Sequence, residues 1–225
     1  MAKNKRRFGW RSALAIILLV VGVALLLATP VSNHAIRQNQ NQALTGLTAK
    51  KIKANQHKKG QFDFSKVKEM NPAQAIQARM RSNALVVGAL AIPSVKMYLP
   101  ICKGLSDQSM STGGATMRAD QVMGQGNYPL AGHYMTARGI LFSPLANAQV
   151  GQKVYLTNLQ HVYVYRIYYK KKVSPYNVWL VNNTPQTIVT LITCADGGAN
   201  RWAVRGNLIK TQAANQHNLK VFKLK

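Results

Sequence analysis

Close to the start of this chain stands an uninterrupted, uncharged apolar run, Ala13-Leu-Ala-Ile-Ile-Leu-Leu-Val-Val-Gly-Val-Ala-Leu-Leu-Leu-Ala28. With Ser12 and Thr29 it covers residues 12–29, 18 in all, which meets the roughly 17 to 25 residues a helix needs to cross a bilayer. A secretory h-region is shorter, roughly 7 to 15 residues, and ends at a small-x-small cleavage site. Ala28-Thr29-Pro30-Val31-Ser32 offers no such site, so the segment reads as an uncleaved anchor rather than a signal peptide. Lys3, Lys5, Arg6, Arg7 and Arg11 precede the run, and the first charge beyond it is Arg37. Cationic flanks stay in the cytoplasm, which places everything from residue 30 onward outside the cell.

Of the 225 residues, 30 are Lys or Arg and 5 are Asp or Glu, a net charge of +25, while 47% are apolar. That apolar share excludes a disordered chain, and the length allows one sizeable domain with appendages. The acids Asp63, Glu69, Asp107, Asp120 and Asp196 are scattered, which argues against a two-carboxylate glycosidase and an EF-hand. Without the five N-terminal cations the outer part still carries +20, a field that attracts polyanions. Outside a cell these are anionic lipid headgroups and phosphate-rich wall polymers. No recognition motif or aromatic-interleaved basic stretch points to nucleic acid.

The organisation follows from texture. Residues 1–11 read as a cytoplasmic basic segment, 12–29 as the transmembrane anchor, 30–70 as a polar linker and 71–225 as an extracellular domain. Within the linker, residues 33–61 are rich in Asn, Gln, Lys and Ala and read as a solvated stalk or weak helix. Asn71-Pro72 can cap and open a short helix with Ile76 and Met80 on one face. From Ala84 short β-forming runs, broken by Gly, Pro and Asn, take over: 85–92, 96–102, 153–158, 162–171, 187–193 and 202–209. Without regular helix alternation this is an all-β domain, a closed barrel or a sandwich.

Two cysteines in an oxidising compartment permit one disulfide. Against a bridge, Cys194 ends the run Thr187-Ile-Val-Thr-Leu-Ile-Thr-Cys194 and precedes Ala-Asp-Gly-Gly-Ala-Asn, so its sulfur falls at a strand mouth where a nucleophile is accessible. Cys102, in Leu99-Pro-Ile-Cys-Lys-Gly104, reads as a packing residue. A thiol nucleophile needs a base or a cation beside it. His34 and His57 fall in the stalk, His217 in the C-terminal tail and His161 in a hairpin turn. His133 differs in standing behind small residues in Gly126-Asn-Tyr-Pro-Leu-Ala-Gly-His133. Composition alone leaves it open between a structural and a catalytic histidine.

Three segments together resemble the sortases, cysteine transpeptidases of Gram-positive surfaces. Thr190-Leu-Ile-Thr-Cys194 is similar to their nucleophile motif, Leu130-Ala-Gly-His133 to their histidine motif, and Arg201-Trp-Ala-Val-Arg-Gly206 to the strand that carries their arginine. Further similarity at 88–93, 99–101, 113–117 and 173–178 extends the match over residues 84–210. The resemblance implies an eight-stranded β-barrel with short helices that recognises a Leu-Pro-x-Thr-Gly sorting signal on surface proteins. It implies Cys194 as nucleophile, His133 as general acid and base, and Arg201 as the donor to the substrate carbonyl or oxyanion. The acyl acceptor would be an amine of a lipid-linked peptidoglycan precursor. Thr193, Pro175, Val173 and Ala131 are the substrate-binding residues implied, although Thr193 reads equally well as a β-branched strand residue. Arg205, four residues beyond Arg201, shares its strand face by alternation and competes for the arginine role.

The N-terminal anchor, the Asn-Tyr-Pro-Leu-Ala-Gly-His form and the short loop after Cys194 are most similar to class A. The Asp-Pro-aromatic lid of class C is missing at Asp63-Phe64-Ser65, and Asn215 to Lys225 is polar rather than membrane-spanning. Calcium takes 6 to 8 oxygen ligands, and with Asp107 the only acid from Lys103 to Met117 and none from Lys171 to Leu180, neither a metal nor another cofactor is expected. Two alternatives stay open: a surface cysteine peptidase, in which water resolves the acyl-enzyme, and a noncatalytic basic wall-binding protein.

Overall fold

The structure, a computed structural model, describes residues 10–64, 67, 84–135, 137 and 139–224. The helix expected from Asn71 to Met80 lies outside them. Two helices, α1 (Trp10–Thr45) and α2 (Ala49–Gln56), precede eight strands: β1 (Val86–Ile92), β2 (Met97–Cys102), β3 (Gly114–Thr116), β4 (Asn127–Ala131), β5 (Lys153–Thr157), β6 (His161–Val173), β7 (Ile188–Ala195) and β8 (Asn200–Ala213). A short helix α3 (Asp107–Thr112) lies between β2 and β3, and α4 (Gln216–Leu219) follows β8. The strands close into a barrel in the order β1-β2-β3-β4-β7-β8-β6-β5, with β5 pairing back onto β1. The pairs β2–β3 and β4–β7 are parallel and the others antiparallel.

Six strands stand where the β-forming runs placed them. The other two, β3 and β4, had no sequence signal of their own, since one is only Gly-Ala-Thr and the other carries Pro129.

Strand alternation sorts side chains between two faces. Leu90, Leu130, Leu156, Val189, Leu191 and Val204 belong to the interior core, which also buries Tyr165 and Phe142. On the outside, Ala89, Ala91, Val162 and Val164 form a second apolar patch, covered by Phe222 and by Leu44 of α1. The polar C-terminal stretch thus has one firm anchor, since Phe222 is fully buried.

The segment expected as a solvated stalk or weak helix is helical over most of its length, and part of it is packed rather than solvated. Helix α1 runs through Pro30 to Thr45. Its apolar first half is exposed and, by length and composition, long enough to cross a membrane. Its second half buries Ser32, Ala35, Ile36, Asn39, Gln40 and Leu44, the i, i+3, i+4 spacing of a single helical face. Ile36 packs with Ile140 and Leu141, beside Met135 and Ala137, so α1 leans on the loop that follows His133. Thr48 then caps α2, its side chain accepting the Lys51 N–H at 3.3 Å.

Candidate active site

Three neighbouring strands, β4, β7 and β8, set the site. In the parallel β4–β7 pair Ala131 lies opposite Ile192. The Gly132 N–H donates to the Ile192 carbonyl at 3.1 Å, and the Thr193 hydroxyl donates to the Gly132 carbonyl at 2.7 Å. These bonds carry the register one residue past the strand end and bring the His133 backbone level with Cys194, on a chain about 4.8 Å away. On the other side of β7, Cys194 is the direct antiparallel partner of Arg201. His133, Cys194 and Arg201 therefore stand side by side across one end of the barrel.

Each is fixed locally. Gly132 is required because a Cβ there would overlap the Phe142 ring, while the Phe142 N–H donates to the His133 carbonyl at 3.1 Å. His133 is half-buried. Burial pushes its imidazole down to about 4, with the Asp107 carboxylate at the start of α3 opposing the shift. At neutral pH the ring is uncharged and has a lone pair to accept a proton.

Cys194 is free and half-buried. After Ala195 the chain reverses through three left-handed residues, Asp196 (φ 52), Gly197 (φ 64) and Gly198 (φ 96). Two glycines adopt this conformation without the cost it carries for other residues, and Asp196 is held there by Lys172 Nζ at 2.6 Å and Asn200 Nδ2 at 2.9 Å. Those two donors keep the Asp196 carboxyl below its usual range. The Arg201 Nη1 donates to the carbonyls of Gly198, at 2.6 Å, and Asn200, at 2.9 Å. A guanidinium has five N–H donors, so this anchoring of one nitrogen leaves Nε and Nη2 to serve another acceptor.

Cys102 closes β2 on the outer face of the barrel, beside Ala115; it is fully buried there, and desolvation pushes its thiol up to about 12. No bridge joins it to Cys194.

The four substrate-binding residues singled out from sequence stand in four different settings. Ala131, with Ile192 and Val181, packs on the outer apolar cluster of Leu105, Met110, Ala115 and Met117, and Ile192 shares the outer face of β7 with Cys194. Val173 pairs with Arg201 from β6. Pro175 is exposed in the β6–β7 connection, next to Tyr176, which is 87% exposed. Thr193 does not face solvent: it is 2% exposed and its hydroxyl is spent on Gly132. Sequence reasoning missed Asp107 beside His133, and also Asn127, Thr190 and Trp179, whose contacts appear below. Arg205 lies opposite Thr190, away from Cys194, with its guanidinium 5.2 Å from the Trp179 ring centre.

A free thiol, an uncharged imidazole and an arginine brought level on adjoining chains of a closed eight-stranded barrel are the groups a cysteine acyl-transfer enzyme uses. The sortase-domain family model matches residues 90–209. Sortase A of Streptococcus agalactiae is 38% identical over all of this chain and 98% of its own length, and sortase A of Listeria monocytogenes is 34% identical over 90% of this chain and 93% of its own. The solved structure of the Listeria monocytogenes sortase A superposes with a TM-score of 0.61 at 39% identity, covering 62% of this chain and 99% of that one. The chain belongs to the sortase family of cysteine transpeptidases, and within it to class A.

Proposed function

We propose that this protein is anchored by residues 12–29 with its N-terminus in the cytoplasm, and that its outer barrel cleaves a Leu-Pro-x-Thr-Gly signal between Thr and Gly. The level alignment of His133, Cys194 and Arg201 across β4, β7 and β8 carries this reading. Cys194 Sγ attacks the Thr carbonyl as the uncharged His133 takes the thiol proton. Arg201, together with backbone amides near Cys194, donates to the oxygen on which charge develops. Collapse breaks the Thr–Gly bond, and the proton that left the thiol goes from His133 to the departing Gly amine. A thioester remains on Cys194. In the second half His133 accepts a proton from the incoming amine, the new amide forms, and Sγ is reprotonated, so that no proton is gained or lost over the cycle.

The acceptor we assign is an amine of a lipid-linked wall precursor, within reach of an enzyme tethered at the membrane. We place the signal in a groove between the β6–β7 connection and the outer faces of β4 and β7, where Ala131 and Val173 flank the reacting groups and Pro175 lies in the outer wall. Thr193 acts on substrate only through Gly132 and the His133 loop.

The test is mass spectrometry of products from the full chain in detergent with a Leu-Pro-x-Thr-Gly-x peptide, with and without a glycine-based amine. The expected product with the amine is the Leu-Pro-x-Thr adduct, lost in Cys194→Ala. Hydrolysis at the same rate in both arms, with no adduct, would make the protein a surface peptidase. An intact peptide would favour a noncatalytic wall-binding role.

A further inference from the structure

Two residues at the front of the catalytic motifs do no chemistry at the reacting atoms. Thr190 precedes Cys194 by four residues and Asn127 precedes His133 by six, about 13 Å and 20 Å of extended strand. Both are completely buried, and they are joined to each other and to the β6–β7 connection in a closed ring. Asn127 Nδ2 donates to the Leu180 and Asn182 carbonyls, each at 2.8 Å. Its Oδ1 accepts the Thr190 hydroxyl at 2.7 Å, and the Thr190 oxygen accepts from Arg205 Nε at 3.3 Å. Arg205 lies over Trp179, the neighbour of Leu180, which completes the circuit. Two further bonds reinforce it: the Asn127 N–H donates to Asn183 Oδ1 at 3.1 Å, and Arg118 Nη1 donates to the Val181 carbonyl at 3.2 Å.

We propose that Asn127 is a positioning residue for peptide recognition, whose ring with Thr190, Arg205 and Trp179 holds the connection 174–187 as a preformed wall of the groove. The inference rests on the reading of that groove as the sorting-signal site. Its physical basis is the demand for pairing of buried polar groups. The carbonyls of Leu180, Val181 and Asn182 are fixed by side chains of the barrel side rather than by a sheet, so the wall is only as rigid as those side chains. Val181 in turn packs on the same outer apolar cluster as Ile192 and Ala131, which connects the ring to the surface a peptide would meet. The ring also accounts for the two arginines on one strand face: Arg201 serves the reaction end, and Arg205 serves the wall.

The experiment compares Asn127→Asp, Thr190→Val and Thr190→Ser with the wild type, as full chains in detergent, by steady-state transpeptidation of the Leu-Pro-x-Thr-Gly-x peptide and by iodoacetamide labelling of Cys194. Asn127→Asp replaces the two N–H donors by an acceptor facing two carbonyls and is expected to raise KM about tenfold or more, while kcat and the labelling rate stay within about threefold. Thr190→Val is expected to raise KM by about three- to fivefold, and Thr190→Ser, which keeps the hydroxyl, to restore it. An unchanged KM in folded variants overturns the proposal. So does a loss of kcat and of Cys194 labelling at constant KM, which would place the ring's effect on the nucleophile. If Asn127→Asp fails to fold, the near-isosteric Thr190→Val and Thr190→Ser decide by the same criteria. A wild type that transpeptidates while the variants match it sinks this inference alone, whereas a wild type inert toward the peptide sinks the proposed function and this inference with it.

Discussion

Cys102 and Cys194 are the same residue type at the same end of barrel strands, and the barrel makes opposite uses of them. Cys102 ends β2 fully buried beside Ala115 of the outer apolar cluster, and burial pushes its thiol up to about 12. Cys194 stands one residue short of the end of β7, half-buried, with His133 just beyond the end of β4 on one side and Arg201 of β8 on the other. Both face outward from the barrel by strand alternation, so the difference is one of cover and of neighbours. The nucleophile we propose is the half-buried cysteine at the barrel rim with His133 and Arg201 at its level, and the fully covered cysteine is packing.

The sharpest way to break the contrast is to remove the two thiols in turn. Cys194→Ala is expected to lower transpeptidation by at least about a thousandfold. Cys102→Ala is expected to leave kcat/KM unchanged and to cost about 1 kcal/mol of stability for the lost sulfur, read by chemical denaturation. Equal losses of activity in both variants would erase the distinction.

His133 supplies the next effect. His133→Asn removes the base and is expected to lower kcat by about 10² to 10⁴. The pH dependence sharpens this, because burial depresses the His133 imidazole from its ordinary 6.5 to about 4. The neutral form is the one the fold favours, so its stabilising contribution is present in full above about 6.5 and is lost as pH falls through about 4. The acid limb of kcat/KM is expected near 4 in the wild type, and Asp107→Asn, which removes the carboxylate opposing the shift, is expected to move it lower. An acid limb near 6.5 would contradict the burial of this ring.

Arg201→Lys keeps the charge and loses the fork, and is expected to lower kcat by about 10² to 10³ with smaller change in KM. Arg205→Lys is expected to act mainly on KM, through the wall. A reversal of that split would exchange the roles of the two arginines. The smallest effect is one of labelling. In the folded protein iodoacetamide is expected to modify Cys194 and leave Cys102 untouched until denaturant is added, read by peptide mapping.

Much of this architecture was legible in sequence because it is local. The strands β1, β2, β5, β6, β7 and β8 carry runs of β-branched and aromatic residues between turn formers, and the cysteine we propose as nucleophile stands at the end of one of them. The strand β4 did not, since a Pro within five residues reads as a break, yet it is the parallel β4–β7 pairing that sets His133 beside Cys194. The same limit hid Asn127, whose partners lie 53 to 63 residues away. Alternation along β8 did place Arg201 and Arg205 on one face, but only their contacts separate them.

The stalk teaches a different lesson. Its average composition is polar, while Ala35, Ile36, Asn39, Gln40 and Leu44 trace one helical face that docks on the barrel. The signal was present as a period, and composition averages periods away.

The most direct test is to trap the acyl-enzyme. The full chain is mixed with the Leu-Pro-x-Thr-Gly-x peptide without an amine, quenched in acid within seconds, digested and mapped by mass. The account expects the Leu-Pro-x-Thr adduct on the peptide containing Cys194, released by hydroxylamine as a thioester should be. Product formation with no adduct on Cys194, or an adduct on Cys102, would contradict it.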